Sequence, residues 1–299
     1  MSVGLPVYNG ETYVAESIES VLGQTHRHLE LVISDNASTD GSERICREYA
    51  ARDPRVRYGR LETNIGGTRN HNFVFERSRG KYFCWIGHDD RRAPTFIERC
   101  VTELEADPEC VLCYAGTQYI GARGEQLDYT EMVLKADRRS APERFGEIIR
   151  MDHKVEPIYG VMRTEVLKRT ALEGPFADHD RVLAAELSLH GRFCRLDEPL
   201  IFRRIHPQSS ISVHPSRHER TAWHDPAHPD RLVMPYCRQF FEYVFAIRRA
   251  RLGFAEACKC YATMGRWLVR NARPVAHDFR YVGRRVAKRV LGAVGYAPR

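Results

Sequence analysis

Two adjacent carboxylates, Asp89 and Asp90, close the run Lys-Tyr-Phe-Cys-Trp-Ile-Gly-His-Asp-Asp that opens at Lys81. The apolar, aromatic-rich part reads as a buried strand. Strand ends facing a crevice are where open α/β sheets take ligands. A bare carboxylate pair either raises the pKa of one member or requires a cation. Mg²⁺ or Mn²⁺ bridging a diphosphate supplies that cation, because hard ions take carboxylate and phosphate oxygens. The plainer reading is a solvated turn in which Asp90 caps a helix starting near Pro94.

The elements that must position this pair follow from periodicity. Strands are expected over residues 3–7, 29–34, 56–61 and 81–86, alternating with helices over 12–24, 42–52 and from the turn at 64–67 to about 78. Such alternation implies βαβ units and a parallel sheet. Beyond Asp90 the sequence predicts a helix over 94–106, a strand over 111–119, polar residues over 120–155 and an apolar stretch, helical in its second half, over 158–172. A helix over 180–190, short strands at 193–196 and 200–203, a loop over 206–231 and a helical tail from Met234 complete the chain. In a right-handed βαβ sheet the turns Tyr8-Asn9, Asp35-Asn36 and His88-Asp89-Asp90 gather at one edge. Asp35 can accept a base N–H there, which suits a uracil or thymine imide, and Tyr8 can stack on a base. Neither a Gly-x-Gly-x-x-Gly after the first strand nor a Walker loop is present. Phosphates are therefore left to metal and arginine.

Leu5-Pro-Val-Tyr-Asn-Gly10, Ser17-Ile-Glu-Ser-Val-Leu-Gly-Gln-Thr25 and Glu30-Leu-Val-Ile-Ser-Asp-Asn-Ala-Ser-Thr-Asp40 resemble the opening of family 2 glycosyltransferases. These are nucleotide-sugar-dependent enzymes of the GT-A fold. Asn64-Ile-Gly, Gly80-Lys-Tyr and His88-Asp-Asp90 extend the resemblance, which covers roughly residues 1–212. It implies a Rossmann-like, mostly parallel central sheet flanked by helices, with a C-terminal helical extension. The implied domains are a glycosyltransferase unit over 1–230, with a nucleotide-sugar half at 1–119 and an acceptor half at 120–230, and a basic extension over 231–299. By position, Pro6, Tyr8, Glu11 and Asp35 would line the nucleoside site, and Arg69 would contact base or phosphate. Asp89 would contact ribose or metal, and Asp90 would ligate Mn²⁺ or Mg²⁺ at the diphosphate. The usual Asp-x-Asp is here His88-Asp89-Asp90.

Inverting sugar transfer needs a carboxylate that takes the acceptor hydroxyl proton. Pro175-Phe-Ala-Asp-His-Asp180 offers Asp178 and Asp180. The resemblance places the base at the start of the following helix, so Asp180 is the candidate and Asp178 its reserve. An N-cap is the competing role for Asp180. Phe202-Arg-Arg-Ile-His-Pro-Gln-Ser-Ser210 resembles the family's Arg-x-His-x-x-x-Ser segment. His206 would then join the metal or touch the diphosphate, and Arg203 and Arg204 would offset leaving-group charge. In the plainer reading His206 only hydrogen-bonds within a loop. The implied activity is transfer of a sugar from a nucleotide-diphosphate sugar to a glycan or lipid-linked acceptor, in polysaccharide, cell-surface glycan or glycoconjugate synthesis. A sugar-phosphate nucleotidyltransferase is the alternative, but its usual Gly-rich, basic phosphate loop is missing. A non-catalytic binding protein would leave Asp35, Asp90 and Asp180 unexplained.

Charge is unevenly placed along the 299 residues. Residues 231–299 hold 15 of the 46 Lys and Arg and 3 of the 39 Asp and Glu, a balance of +12 against −5 for the rest. That asymmetry calls for an anionic partner; no nucleic acid is expected. Phe279, Val282, Val286 and Val290 recur at helical spacing among Arg280, Arg284, Arg285, Lys288 and Arg289. Such a helix lies on anionic lipid or packs on the body with a solvated basic face, so peripheral membrane contact through 275–299 stays open. No apolar run approaches the ~20 residues of a membrane span. Nine cysteines without an even framework read as reduced thiols. With no signal-like opening, the expectation is a cytoplasmic protein, peripheral at the inner face of the plasma membrane if the tail meets lipid. Cys110-Val-Leu-Cys113 lies in a strand, where i and i+3 point to opposite faces, and reads as core packing. His214-x-x-x-His218 and His224-x-x-x-His228 have a zinc-like spacing, but Pro215, Pro226 and Pro229 argue against a helix. A lid ordered by substrate is the preferred role of this segment.

Overall fold

A computed structural model describes residues 1–293 apart from 130–133, 135, 151–155, 210–212, 214–215, 226–227 and 229–232, and gives the backbone alone for 288–293. His214, Pro215, Pro226, Pro229 and the side chains of Lys288, Arg289 and Val290 lie outside the described residues.

The chain opens as the alternation predicts: β1 (Ser2–Val7), α1 (Val14–Leu22), β2 (Glu30–Asp35), α2 (Ser42–Arg52), β3 (Val56–Arg60), α3 (Gly67–Glu76) and β4 (Tyr82–Trp85). Then come β5 (Arg91–Arg92), α4 (Phe96–Ala106), β6 (Cys110–Ile120), α5 (Ala141–Arg150), a 3₁₀ turn (Glu156–Tyr159), β7 (Val161–Arg163), α6 (Thr164–Leu167), α7 (His179–His190) and β8 (Arg192–Arg204). The last helices are α8 (Arg217–His224), α9 (Pro235–Arg249), α10 (Phe254–Arg270) and α11 (Ala272–Ala293).

One sheet of eight strands runs in the order β3-β2-β1-β4-β7-β6-β8-β5. The β3, β2, β1 and β4 strands are parallel, β7 is antiparallel to both its neighbours, and β8 runs parallel to β6. Strands β1, β2 and β4 are buried on both faces, which explains their nearly continuous apolar sequences, whereas the edge strand β3 is increasingly exposed beyond Val56. Helices cover both faces, and two apolar clusters fill the spaces between the layers.

Four expectations are corrected. The 158–172 stretch contains the short strand β7, whose three residues are too few for any period to show. Residues 193–196 and 200–203 belong to the single strand β8, which follows β6 through register shifts that absorb Pro199. The proposed loop over 206–231 contains α8, opened by a capping box in which Ser216 Oγ accepts from Glu219 N–H and Glu219 accepts from Ser216 N–H. The thiols are not all reduced: Cys110 and Cys194, on adjacent strands with Cα atoms 6.1 Å apart, form a disulfide, and seven cysteines are free. Cys113 is buried in the core.

The last helices cover the body. Tyr243 and Ile247 of α9 and Met264 and Trp267 of α10 enter the same apolar cluster as Phe145 of α5 and Leu187 of α7. Arg249 binds the buried Glu186 through Nε (2.7 Å) and a terminal nitrogen (2.8 Å). Asp278 of α11 is fully buried and accepts from the N–H groups of Tyr236 (2.8 Å) and Cys237 (3.0 Å), capping α9. The same helix leaves Phe279 and Val286 exposed. No helix among the described residues is long and apolar enough to cross a membrane.

Candidate active site

The strand ends of β1, β2, β4 and β8 open on one cleft of about 780 Å³, within the usual range for small-ligand sites. The first turn supplies Pro6, Tyr8, Asn9 and Glu11 to its wall. Tyr8 is 40% exposed, as a stacking surface requires. Glu11 is held in the loop, its carboxylate accepting from Gly41 N–H at 2.6 Å. Gly10 lets the turn pass close to His88, for a Cβ there would lie 2.6 Å from that ring. Asn36 closes the opposite wall: its Nδ2 donates to Asn64 Oδ1 at 2.9 Å and its Oδ1 accepts from Ile65 N–H at 2.9 Å.

The Asp89-Asp90 turn forms the floor. Asp89 Oδ2 lies 2.9 Å from His206 Nε2. Asp90 is buried, and its Oδ1 accepts from Arg204 N–H at 2.9 Å. A Cβ on Gly87 would meet Asp89 Oδ1 at 2.7 Å and Asp90 Oδ2 at 3.1 Å, so oxygens of both carboxylates converge there. Burial and the neighbouring Asp89 charge push Asp90 up to about 6. Burial also works against Asp89, yet the His206 hydrogen bond and the His88 charge bring it down to about 2. The His206 imidazole is raised by that same bond, with burial opposing. The pair thus resists holding two negative charges, as a site completed by a cation would. Hard-oxygen ligands and one imidazole suit Mn²⁺ or Mg²⁺, with ligand phosphates supplying further oxygens. Among the described residues no group of three His, Cys, Asp or Glu side chains is placed to hold a metal ion.

Both arginines line the cleft, and each is engaged by protein partners. Arg204 is buried. Its Nε donates to Asp89 O at 2.9 Å, one terminal nitrogen donates to Gly121 O and Ala122 O at 3.1 Å each, and the other pairs with Glu16. The guanidinium also lies 4.4 Å from the Tyr13 ring centroid. Arg203 lines the cleft but is bound to Glu156 at 2.6 Å and packs over Tyr159. Glu156 in turn accepts from Tyr119.

Asp35 is fully buried, accepting from Ser38 N–H at 2.8 Å and from Tyr58 and Arg60 at 3.0 Å each. Arg69 is half exposed and lies 3.4 Å from Asp225 of the α8 segment. Asp178 precedes α7 in the left-handed region (φ 62°) and pairs with Arg217 at 2.8 Å. Burial raises its pKa, with Arg217 opposing. Asp180 lies in the first turn of α7, and no ion-pair partner reaches it among the described residues. Its charge acts on His71 and Tyr159. Those two residues line the cleft, whereas Asp35, Arg69, Asp178 and Asp180 do not.

Sequence reasoning missed His71, Tyr159, Asn36, Asn64 and Glu156. Asn36 and Asn64 lay in quoted turns, so their signal was present. The others come from a helix interior and a 3₁₀ turn with no motif to mark them.

A profile described as Glycosyl transferase family 2 matches residues 2–166. A putative teichuronic acid biosynthesis glycosyltransferase of Bacillus subtilis is 32% identical over 128 residues, covering 43% of this chain and 50% of that protein. The chain thus spans half the length of that curated relative. An uncharacterized Haemophilus influenzae glycosyltransferase is 27% identical over 241 residues, covering 74% of this chain and 70% of its own. Among solved structures, S. aureus TarS 1–349 in complex with UDP superposes with a TM-score of 0.65 at 17% identity, covering 90% of this chain and 71% of TarS 1–349. A Pyrobaculum calidifontis mannosyltransferase in complex with GDP-Man and Mn²⁺ superposes at 0.54 and 16% identity, covering 96% and 79%. The profile spans more than half of the chain, and the sheet that carries the cleft is that of the GT-A enzymes: the chain belongs to glycosyl transferase family 2.

Proposed function

We propose that the chain is an inverting glycosyltransferase that moves a sugar from a nucleotide-diphosphate sugar to an acceptor hydroxyl. The observation that carries this reading is the convergence of Asp89 and Asp90 oxygens, with His206 beside them, on the floor of the strand-end cleft. Asp90, Asp89 and His206 would hold Mn²⁺ or Mg²⁺, which when bound offsets the charge of the leaving diphosphate. The titles of the solved relatives support the ligand class: TarS binds UDP and UDP-GlcNAc, and the mannosyltransferase binds GDP-Man with Mn²⁺. A uracil or thymine base is favoured, with Tyr8 as its stacking surface and Asp35 held near the same strand ends. Asp180 takes the acceptor hydroxyl proton as the oxygen bonds to the anomeric carbon. The bond from that carbon to the diphosphate oxygen breaks, and the nucleoside diphosphate leaves. Residues 1–119 serve the donor, 120–230 the acceptor and 231–299 an anionic surface. The Bacillus relative's name, with its teichuronic acid biosynthesis, supports glycan synthesis as the role.

The test is Mn²⁺-dependent UDP binding, followed by calorimetry in the wild type and in Asp90→Ala. The wild type binds UDP more tightly with Mn²⁺, and the variant loses that increment. An unchanged Mn²⁺ increment in Asp90→Ala would sink the assignment. Release of free sugar from UDP-GlcNAc, without pyrophosphate, separates transfer from nucleotidyl chemistry.

A further inference from the structure

Glu173 is a buried carboxylate held between two histidines that the proposed chemistry does not use. Its side chain is 3% exposed, and its Oε2 faces His71 Nδ1 at 3.1 Å and His179 Nδ1 at 3.5 Å. Both contacts are ion-pair contacts that lie off the straight hydrogen-bond line, and among the described residues none of the three atoms has a hydrogen-bond partner. The arrangement joins distant parts of the chain, since His71 belongs to α3 while His179 opens α7 one residue before Asp180. The backbone is tied as well. Glu173 N–H donates to Asn72 Oδ1 at 3.1 Å, and Glu173 O accepts from Asn72 Nδ2 at 2.8 Å. Trp85 stacks on the His71 ring and donates its Nε1–H to His71 O at 2.9 Å.

An ionised carboxylate offers only lone pairs, so the ring nitrogen facing it carries the proton. Turning His71 away would leave a buried anion without that partner, which is costly. The charged and titratable groups facing His71 are Glu173, Asp180 from the first turn of α7 and, across the shared oxygen, His179. Burial opposes the imidazolium, but the Glu173 and Asp180 charges outweigh it and raise the pKa. His71 is 27% exposed and lines the cleft. With Nδ1 turned to Glu173, the edge bearing Nε2 is the part left to a ligand.

We propose that Glu173 is a positioning residue that holds His71 with Nε2 toward the cleft, where it donates a hydrogen bond to an oxygen of the bound nucleotide sugar. This rests on reading the cleft as the donor site. His179 shares the same oxygen, so Glu173 also fixes the start of α7, and with it Asp180, against α3.

The experiment uses the full chain, with UDP and Mn²⁺ as the probe. Imidazole titration by NMR, with His71 assigned through His71→Gln, is followed in the wild type and in Glu173→Gln. UDP affinity is measured against pH in all three proteins. His71 is expected to titrate above its ordinary value of 6.5 in the wild type and to fall in Glu173→Gln. At pH 7 UDP binding weakens about tenfold in Glu173→Gln and in His71→Gln, the size of one charge-assisted hydrogen bond. The alkaline loss of affinity moves to lower pH in Glu173→Gln, a shift that a purely structural role would not produce. Glu173→Asp, which keeps the charge, restores part of the affinity. An unchanged His71 titration in Glu173→Gln, or wild-type UDP affinity in His71→Gln, overturns the proposal. If the wild type fails to bind UDP while His71 still titrates high in a Glu173-dependent way, it is the donor-site reading that falls, together with the ligand contact. Should Glu173→Gln fail to fold, the His71→Gln affinity still decides.

Discussion

Arg204→Met distinguishes a residue that holds the carboxylate turn from one that binds phosphate. The side chain is 1% exposed and donates to the carbonyls of Asp89, Gly121 and Ala122. Removing the guanidinium leaves up to three carbonyl oxygens without that donor, each costing about 1–3 kcal/mol if it stays dry. The Glu16 partner is 49% exposed, so that ion pair adds no more than about 1 kcal/mol. Contact with the Tyr13 ring adds about 1–2 kcal/mol when desolvated. Methionine recovers part of the apolar packing, and the contributions are not additive, so a net loss of about 3–5 kcal/mol is expected. For a chain of this size that lowers Tm by roughly 6–15 °C. The assay is thermal unfolding of wild type, Arg204→Met and Arg204→Lys, with Mn²⁺-dependent UDP affinity measured below the transition. Lysine keeps the charge but cannot reach several carbonyls at once, so it should resemble methionine in Tm. If Arg204→Met unfolds within about 2 °C of the wild type yet loses UDP binding while lysine preserves it, Arg204 is a phosphate contact and the reasoning is wrong.

Asp180→Asn keeps the shape of the side chain and should lower the transfer rate by ~10²–10⁴ with UDP affinity retained. Wild-type turnover in that variant, with turnover lost in Asp178→Asn, would reverse the two assignments. The C-terminal basic surface should bring the protein to anionic liposomes at low salt, each basic residue near the surface contributing ~1 kcal/mol, with binding fading as salt rises. Replacing Arg280, Arg284 and Arg285 by Gln should weaken flotation without removing the Asp278 cap, and absence of binding at low ionic strength would leave that face to a protein partner or to solvent.

The first four strands and their helices were legible because period and turn chemistry agreed at every step. The short β7 had no period to show, and β8 looked like two strands because Pro199 interrupts its pattern. The α8 helix was hidden by the weight given to prolines, although Ser216-x-x-Glu219 is a helix-start signal. At the site, the family resemblance implied that Asp89, Asp90 and His206 are neighbours, and the structure brings them together. The role of Arg204 could not be read, because its partners are backbone carbonyls from a segment 82 and 83 residues away. Glu173 was invisible for the same reason: its significance lies in two histidines that only the fold brings to it.

The contacts that shape the cleft floor join residues more than a hundred positions apart. Arg204 reaches Asp90 across 114 residues and His206 reaches Asp89 across 117. During synthesis the Asp89-Asp90 turn leaves the ribosome long before β8, which both pairs with β5 and carries the clamp. Residues 1–119 are thus translated without the strand that fixes the Asp89-Asp90 carboxylates. Loop closure over such separations is slow and comes late. A nascent chain therefore gains its ligand site only once β8 has docked, so bound nucleotide would stabilise the finished sheet and do nothing for its precursors.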